Sequence, residues 1–285
     1  MSTPSRAFTF VDRITEIRAR SAVRGYYDIP ADLPSFPAAL VGEAIGQLAA
    51  WEAMAGIGFE GRPVAGLADR ITILRPVKPG ERLELAADIE SLDAEAVSYS
   101  GTADVDGERV FELAHAVGPM MPIEEFQDPN EVYRRYEELQ EKGPGPDAER
   151  FGGLPPMDLE RVDGERGSWA HSRIHVPSEA AIFADHFPRR AVFPGTLLML
   201  ANLELAKALA DEADDGGRPW RPSVVRDVKL RAFTTPGDSL GIEARVTEDE
   251  VSGDAGDEVH VTVETKNKKR TVGRARVLLT REEGS

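Results

Sequence analysis

Two long apolar blocks divide this chain, and alternating segments follow each of them. The first, about Ala38–Ala55, places Leu40, Glu43, Ala44, Gln47, Leu48 and Trp51 on one face at helical spacing. A second block of the same character runs over about Pro194–Asp211. Both predict a long helix. In ERLELAADI, AVSYSGTADV and HVTVETK apolar and polar residues alternate with period two, which predicts half-buried strands. Ahead of each block lie a strand-like entry, Phe8–Ile17 and Pro156–Glu165, and a second strand ending at Ile29-Pro30 and Val176-Pro177. Asp106-Gly107 predicts a hairpin turn, and the Asn267-Lys268 region holds the equivalent place. One helix followed by a meander of strands predicts an α+β domain, its antiparallel sheet packed on the helix, and the pattern occurs twice.

The two occurrences are copies. Asp69–Ile89 recurs as Arg226–Val246, and the Pro-Gly pairs ending at Gly80 and Gly237 set an offset of 157 residues. A chain of 285 residues suits two domains of about 100–200 residues each. The expected division is an N-terminal domain at 1–125, a linker at 126–150 and a C-terminal domain at 151–285. Glu131–Lys142 in the linker is helical in character, and Gly143–Asp147 (GPGPD) breaks it. The offset lays Glu43 over Leu200. Thirteen positions separate Pro30 from Glu43, but twenty-three separate Pro177 from Leu200. The first copy therefore lacks about ten residues just before its helix, the part that in the second copy holds Asp185-His186-Phe187-Pro188.

Composition narrows the function classes. The formal charge is −16, from 50 acidic and 34 basic residues, which argues against an extended basic face for nucleic-acid phosphates. Excess carboxylate with few lysines fits adaptation to high salt and an ordinary acidic enzyme equally well. There are no cysteines, so disulfides, thiolate metal sites and a cysteine nucleophile are excluded, in keeping with a reducing, cytoplasmic setting. The start, MSTPSRAFTF, lacks the basic and apolar regions of a signal peptide, and no apolar run approaches about 18 residues, so neither secretion nor a membrane span is expected.

The chemistry concentrates in the second copy, which reads H-F-P-R-R-A-V-F-P-G-T-L-L-M-L-A from His186 to Ala201. This resembles the signature of the β-hydroxyacyl-acyl carrier protein dehydratases of the hotdog fold. His186, Phe187, Pro188, Val192, Pro194, Gly195 and Leu197 match; Ala191 replaces a proline, and Leu200 replaces the acidic residue fourteen positions after the histidine. The first copy departs in the opposite sense: it lacks the histidine, but Glu43-Ala44 and Gln47 match the family's helix segment, and Asp12-Arg13 its entry strand. The resemblance implies a double hotdog, two tandem α+β domains acting as a built-in dimer, with His186 facing Glu43 in one intact site. It further implies a substrate thioester on acyl carrier protein or coenzyme A, no cofactor or metal, and an oligomer of such units.

The residue types suit the reaction that the resemblance implies, loss of water from a 3-hydroxyacyl thioester in fatty-acid or related lipid or polyketide synthesis. A histidine is a base near neutral pH. A carboxylic acid in an apolar site can hold a proton for a leaving hydroxyl. Gly195 opens a helix after Pro194, so its N–H can face the thioester oxygen. Gln47 reads equally as buried support for Glu43 or as a substrate contact. Phe187, Pro188 and Val192 are expected beside the substrate. Arg189 and Arg190 adjoin the site and could guide an acidic carrier protein, ahead of the hairpin lysines Lys266, Lys268 and Lys269. Two rival readings remain open at this point, a hotdog thioesterase and a non-catalytic acyl-binding scaffold.

Other motifs are set aside. Gly56–Gly61 matches G-x-G-x-x-G, but it follows a helix instead of a strand and is read as a helix stop, not a nicotinamide site. His171 and His175 share a strand face with Arg173, a poor environment for a divalent metal.

Overall fold

The structure is a computed structural model that describes residues 7–143, 150–213, 218–247 and 258–282. The first copy contains β1 (Arg13–Arg18), β2 (Ala22–Asp28), α1 (Ala38–Gly56), β3 (Gly61–Pro63), β4 (Leu67–Ile73), β5 (Arg82–Leu92), β6 (Ala96–Val105) and β7 (Glu108–Pro122). Helix α2 (Pro129–Glu141) lies between the copies. The second contains β8 (Leu159–Glu165), β9 (Trp169–His175), α3 (Gly195–Glu212), β10 (Trp220–Leu230), β11 (Ser239–Thr247), β12 (Glu258–Asn267) and β13 (Arg270–Arg281). Both long helices and both alternating meanders form where the hydrophobic pattern places them. One strand differs. The entry strand begins at Arg13 and not at Phe8, because the side chain of Gln47 binds the Phe10 N–H and the Phe8 carbonyl, supplying bonds that a ladder would otherwise provide.

The strands join in one antiparallel sheet ordered β1-β2-β5-β6-β7-β4-β10-β13-β12-β11-β9-β8, with β3 pairing to the far end of β7. Apart from β3, the two halves of that order are the same set of equivalent strands read in opposite directions. They meet at β4 and β10, where Leu67 pairs with Lys229 and Thr72 with Val224. The 157-residue offset exchanges these two pairs, so the seam has the reciprocal register of an isologous two-fold interface. Two further details obey the offset: Phe36 bridges Val77 as Phe193 bridges Thr234, and Gly80 and Gly237 take positive φ values of +87° and +82°. Each is the second central residue of a Pro-Gly turn, where a side chain would be strained. The whole is an α+β double hotdog.

Each long helix is buried against its own sheet. Leu40, Ala44, Ile45, Leu48 and Ala49 of α1 are inaccessible, as are Leu197, Ala206 and Leu209 of α3. Close approach of α1 to the sheet depends on Gly101 in β6, where an added Cβ would stand 2.3 Å from the Ile45 side chain and 2.8 Å from the Ala86 carbonyl. Helix α2 does more than connect. Its Tyr136 stacks on Trp51 of α1 at 6.2 Å, and Val132 and Leu139 are buried.

Gly101→Ala is expected to destabilise the fold by about 1–3 kcal/mol, the usual cost of overpacking, with a lowered urea midpoint and an unchanged slope. An unaltered midpoint would show that α1 can move off the sheet without cost.

Candidate active site

The facing surfaces of α1, α3, β4 and β10 line an open-mouthed cavity of about 220 Å³ that holds both Glu43 and His186. Helix α1 contributes Ala39, Gly42, Glu43, Gly46, Gln47 and Ala50 to its wall. This stripe lies beside the buried apolar face, so Glu43 and Gln47 border the cavity and are not sealed in the core, as the helical pattern alone suggests. Two glycines inside a helix cost about 1 kcal/mol each relative to alanine. Here they clear space: a Cβ on Gly42 would meet the Phe111 ring at 3.2 Å, and one on Gly46 the Tyr99 hydroxyl at 3.3 Å.

Glu43 is held from both copies. Gln47, one turn along α1, donates from Nε2 to its Oε1 at 2.9 Å, and Thr196 of α3 donates from Oγ1 to its Oε2 at 2.7 Å. Gln47 is fixed in turn by the N-terminal segment, accepting from Phe10 N–H at 2.8 Å and donating to the Phe8 carbonyl at 3.1 Å. It therefore supports Glu43, although it also borders the cavity.

His186 sits in the extra loop of the second copy. Its ring Nδ1 lies 2.9 Å from the Val192 carbonyl, which can only accept, so Nδ1 carries the proton and Nε2 keeps its lone pair. Val192 N–H donates back to the His186 carbonyl at 3.0 Å, closing the loop on itself. Phe187 stacks on the imidazole with centroids 4.1 Å apart, and Phe8 meets it edge-on at 5.7 Å. The loop is also tied to the N-terminal segment, because Asp185 accepts from Phe8 N–H at 2.8 Å. Burial holds the His186 pKa below the ordinary histidine value; the Glu43 carboxylate and the Val192 bond oppose that shift, and Arg62 reinforces it. The base is therefore kept neutral.

Gly195 and Thr196 open α3 after Pro194 and border the cavity, and as first-turn residues their N–H groups have no intrahelical acceptor. Phe187 and Val192 are buried on the cavity wall. Pro188 is not: it is exposed, away from the wall. Arg189 and Arg190 each have an acidic partner. Arg189 pairs with Asp128 at 3.3 Å and its N–H donates to the Phe126 carbonyl, while Arg190 pairs with Glu125 at 2.8 Å. Their charges tie Asp128 and Glu125 to the histidine loop, while both arginine side chains stay exposed. Leu200, the counterpart of Glu43, is buried.

Among the described residues no group of three or more His, Asp or Glu side chains is arranged to hold a metal ion. No helix among them is long and apolar enough to cross a membrane. Gly56 ends α1, with Gly58 and Phe59 at positive φ, so the glycine-rich run is a helix stop. Sequence reasoning missed Thr196, the Phe8–Phe10 segment and Arg62. Thr196 follows Gly195 within the motif and could have been found there; the other two carry no local signal.

The fold is a double hotdog in which one cavity holds both Glu43 and His186. The sequence profile of the ApeI-like dehydratase family matches residues 162–272. The 3-hydroxyacyl-[acyl-carrier-protein] dehydratase FabZ of Bacillus velezensis is 34% identical over 125 residues, covering 39% of this chain and 88% of that protein. The Bacillus subtilis FabZ is 32% identical over the same shares. The chain belongs to the hydroxyacyl-acyl carrier protein dehydratase family of the hotdog fold. Solved structures extend the fold match along more than nine-tenths of the chain. A Lactobacillus plantarum protein assigned as an oleoyl thioesterase superposes with a TM-score of 0.60 at 11% identity, covering 93% of this chain and 98% of that one. The dehydratase domain of PpsC from Mycobacterium tuberculosis, solved with C12:1-CoA, gives 0.53 at 13% identity, with 97% and 100% covered.

Gln47→Leu should destabilise the protein by about 1–3 kcal/mol, because the Phe10 N–H and Phe8 carbonyl lose their partner. Urea unfolding checks this. A variant as stable as the parent would mean that the N-terminal segment is held by other contacts.

Proposed function

We propose that this protein removes water from 3-hydroxyacyl thioesters, giving trans-2-enoyl thioesters, at one composite site per chain. The observation that carries this reading is a carboxyl group from one copy fixed by the other copy's threonine, in the same cavity as a histidine whose Nε2 has no hydrogen-bond partner among the described residues. Acyl carrier protein is the proposed carrier, since the FabZ relatives act on thioesters of that protein.

In this mechanism His186 Nε2 takes the α-proton, and the C–H electron pair moves into the thioester as an enolate. The N–H of Gly195, at the positive end of α3, stabilises the oxyanion. The enolate pair then forms the Cα–Cβ double bond and expels the β-hydroxyl, which takes a proton from Glu43 and departs as water. Transfer of the proton from the imidazolium back to the Glu43 carboxylate, through solvent after release, restores the starting state. Neutral His186 is essential at the first step, and burial provides it. Gln47 and Thr196 keep the Glu43 carboxyl aimed at the β-carbon. The apolar walls exclude the water that would add back across the double bond.

His186→Ala and Glu43→Gln should each slow hydration of an enoyl thioester by about 10²–10⁴-fold, the range of general acid–base catalysis, with unaltered unfolding. Release of free thiol in the same assay would instead identify a thioesterase. A second prediction concerns pH. The acid limb of kcat/KM reports protonation of His186, so it should fall below the ordinary value of 6.5, with activity retained until pH drops through that lowered pKa. A limb at or above 6.5 would assign the base elsewhere. Acyl carrier protein thioesters should exceed coenzyme A thioesters in kcat/KM; the reverse order would overturn the choice of carrier.

A further inference from the structure

Among the described residues Arg62 is the one guanidinium on the cavity wall, and beyond helping to hold the His186 pKa down it has no part in the reaction proposed above. It belongs to β3, which pairs with the end of β7 as the start of β10, Trp220–Pro222, pairs with the end of β13. Its Nη1 donates to the side-chain carbonyl of Gln127, a neutral partner, and its Nε has none among the described residues. No carboxylate there reaches ion-pair distance. Burial lowers its pKa to about 10, against the attraction of Glu43, so it remains charged at neutral pH. A cation partly withdrawn from water, with only an amide and a ring face for company, is costly unless another acceptor arrives.

Its position says what that acceptor is. The guanidinium lies over the Phe187 ring at 4.1 Å, and the His186 imidazole stacks on Phe187 at the same separation. Both cannot occupy one face, so Phe187 stands between them. Arg62 is thus removed from the carbon that His186 addresses, but only by the thickness of one ring. The chain running on from Arg62 forms the outer rim: Ala65 is exposed and Leu67 retains 45% of its surface, whereas Leu113, Ala116, Leu198 and Met199 at the inner wall are buried. An acyl chain follows the buried wall. The thiol side of the thioester therefore passes the rim, where Arg62 waits.

We propose that Arg62 is a specificity-determining residue that donates to the first amide carbonyl of the substrate's thiol arm, a few bonds beyond the sulfur. The inference rests on the thioester reading of the site. A guanidinium suits this task because its planar donors are fixed by the Phe187 stack and the Gln127 bond before substrate arrives. It also explains the role of Gln127: the linker that joins the copies reaches back to set the orientation of the arm's anchor.

The test compares two butenoyl thioesters, one of N-acetylcysteamine, which carries the amide, and one of ethanethiol, which does not. At a pH well above the His186 limb, where loss of the Arg62 charge leaves the base neutral, Arg62→Met should raise KM for the amide-bearing thioester roughly 10- to 100-fold, the range of a hydrogen bond to a charged donor, and leave kcat and the ethyl thioester nearly unchanged. Arg62→Lys should recover part of the loss. Equal losses on both thioesters would place Arg62 in the chemistry or the fold and overturn the proposal. Calorimetric binding of the unreactive butyl thioethers of the same two thiols separates the readings. If the wild type binds the amide-bearing thioether in an Arg62-dependent way without turning over either thioester, the dehydratase reading fails and the arm contact stands. Unchanged binding in Arg62→Met sinks the arm contact whatever the turnover.

Discussion

The antiparallel seam between β4 and β10 is the constraint on which everything else depends. Because its register is reciprocal, it fixes where α1 lies against α3 and therefore where residues of one copy meet residues of the other. The Thr196–Glu43 hydrogen bond, the shared cavity and the approach of the histidine loop to the N-terminal segment all follow from that placement. A slip of one residue along the seam would turn every side chain of one strand to the opposite face, and Val225 and Val228, both buried, would lose their packing. Ladder bonds alone would tolerate such a slip; the buried valines do not.

Much of this was legible in the sequence, for identifiable reasons. Long helices and alternating strands are written by hydrophobic period, and the paired Pro-Gly turns mark the repeat because a positive φ at Gly80 and Gly237 needs glycine. The His186 loop was legible as an insertion relative to the first copy. What escaped notice depends on partners remote in the chain. Phe8 and Phe10 read as strand because alternation registers side-chain burial and not the identity of the hydrogen-bond partner, which here is Gln47. The pairing of Arg189 with Asp128 and of Arg190 with Glu125 was not legible, because a run of like charge in sequence does not reveal the acids opposite it. Pro188 belongs to the motif, yet it faces outward, since a motif records a loop's shape as well as its contacts.

The linker is part of the machinery. Phe126 is buried against Phe187 and Phe233, its carbonyl receives Arg189, and Gln127 receives Arg62. These contacts hold the histidine loop from outside while Asp185 and Phe8 hold it from within. The loop has little regular structure of its own, only a single turn at Ala181–Ala184, so its precision is borrowed from the linker and the N-terminal segment.

The reciprocal seam has one more consequence. When two separate subunits form such an interface, the site exists only as long as they stay associated, and the active fraction falls as the protein is diluted. Here Glu43 and His186 belong to a single chain, and the tether keeps the copies at a high effective concentration however few molecules are present. Occupancy of the paired arrangement is then set by folding alone. That frees each copy to diverge, since no residue of the seam has to recognise a second, identical polypeptide.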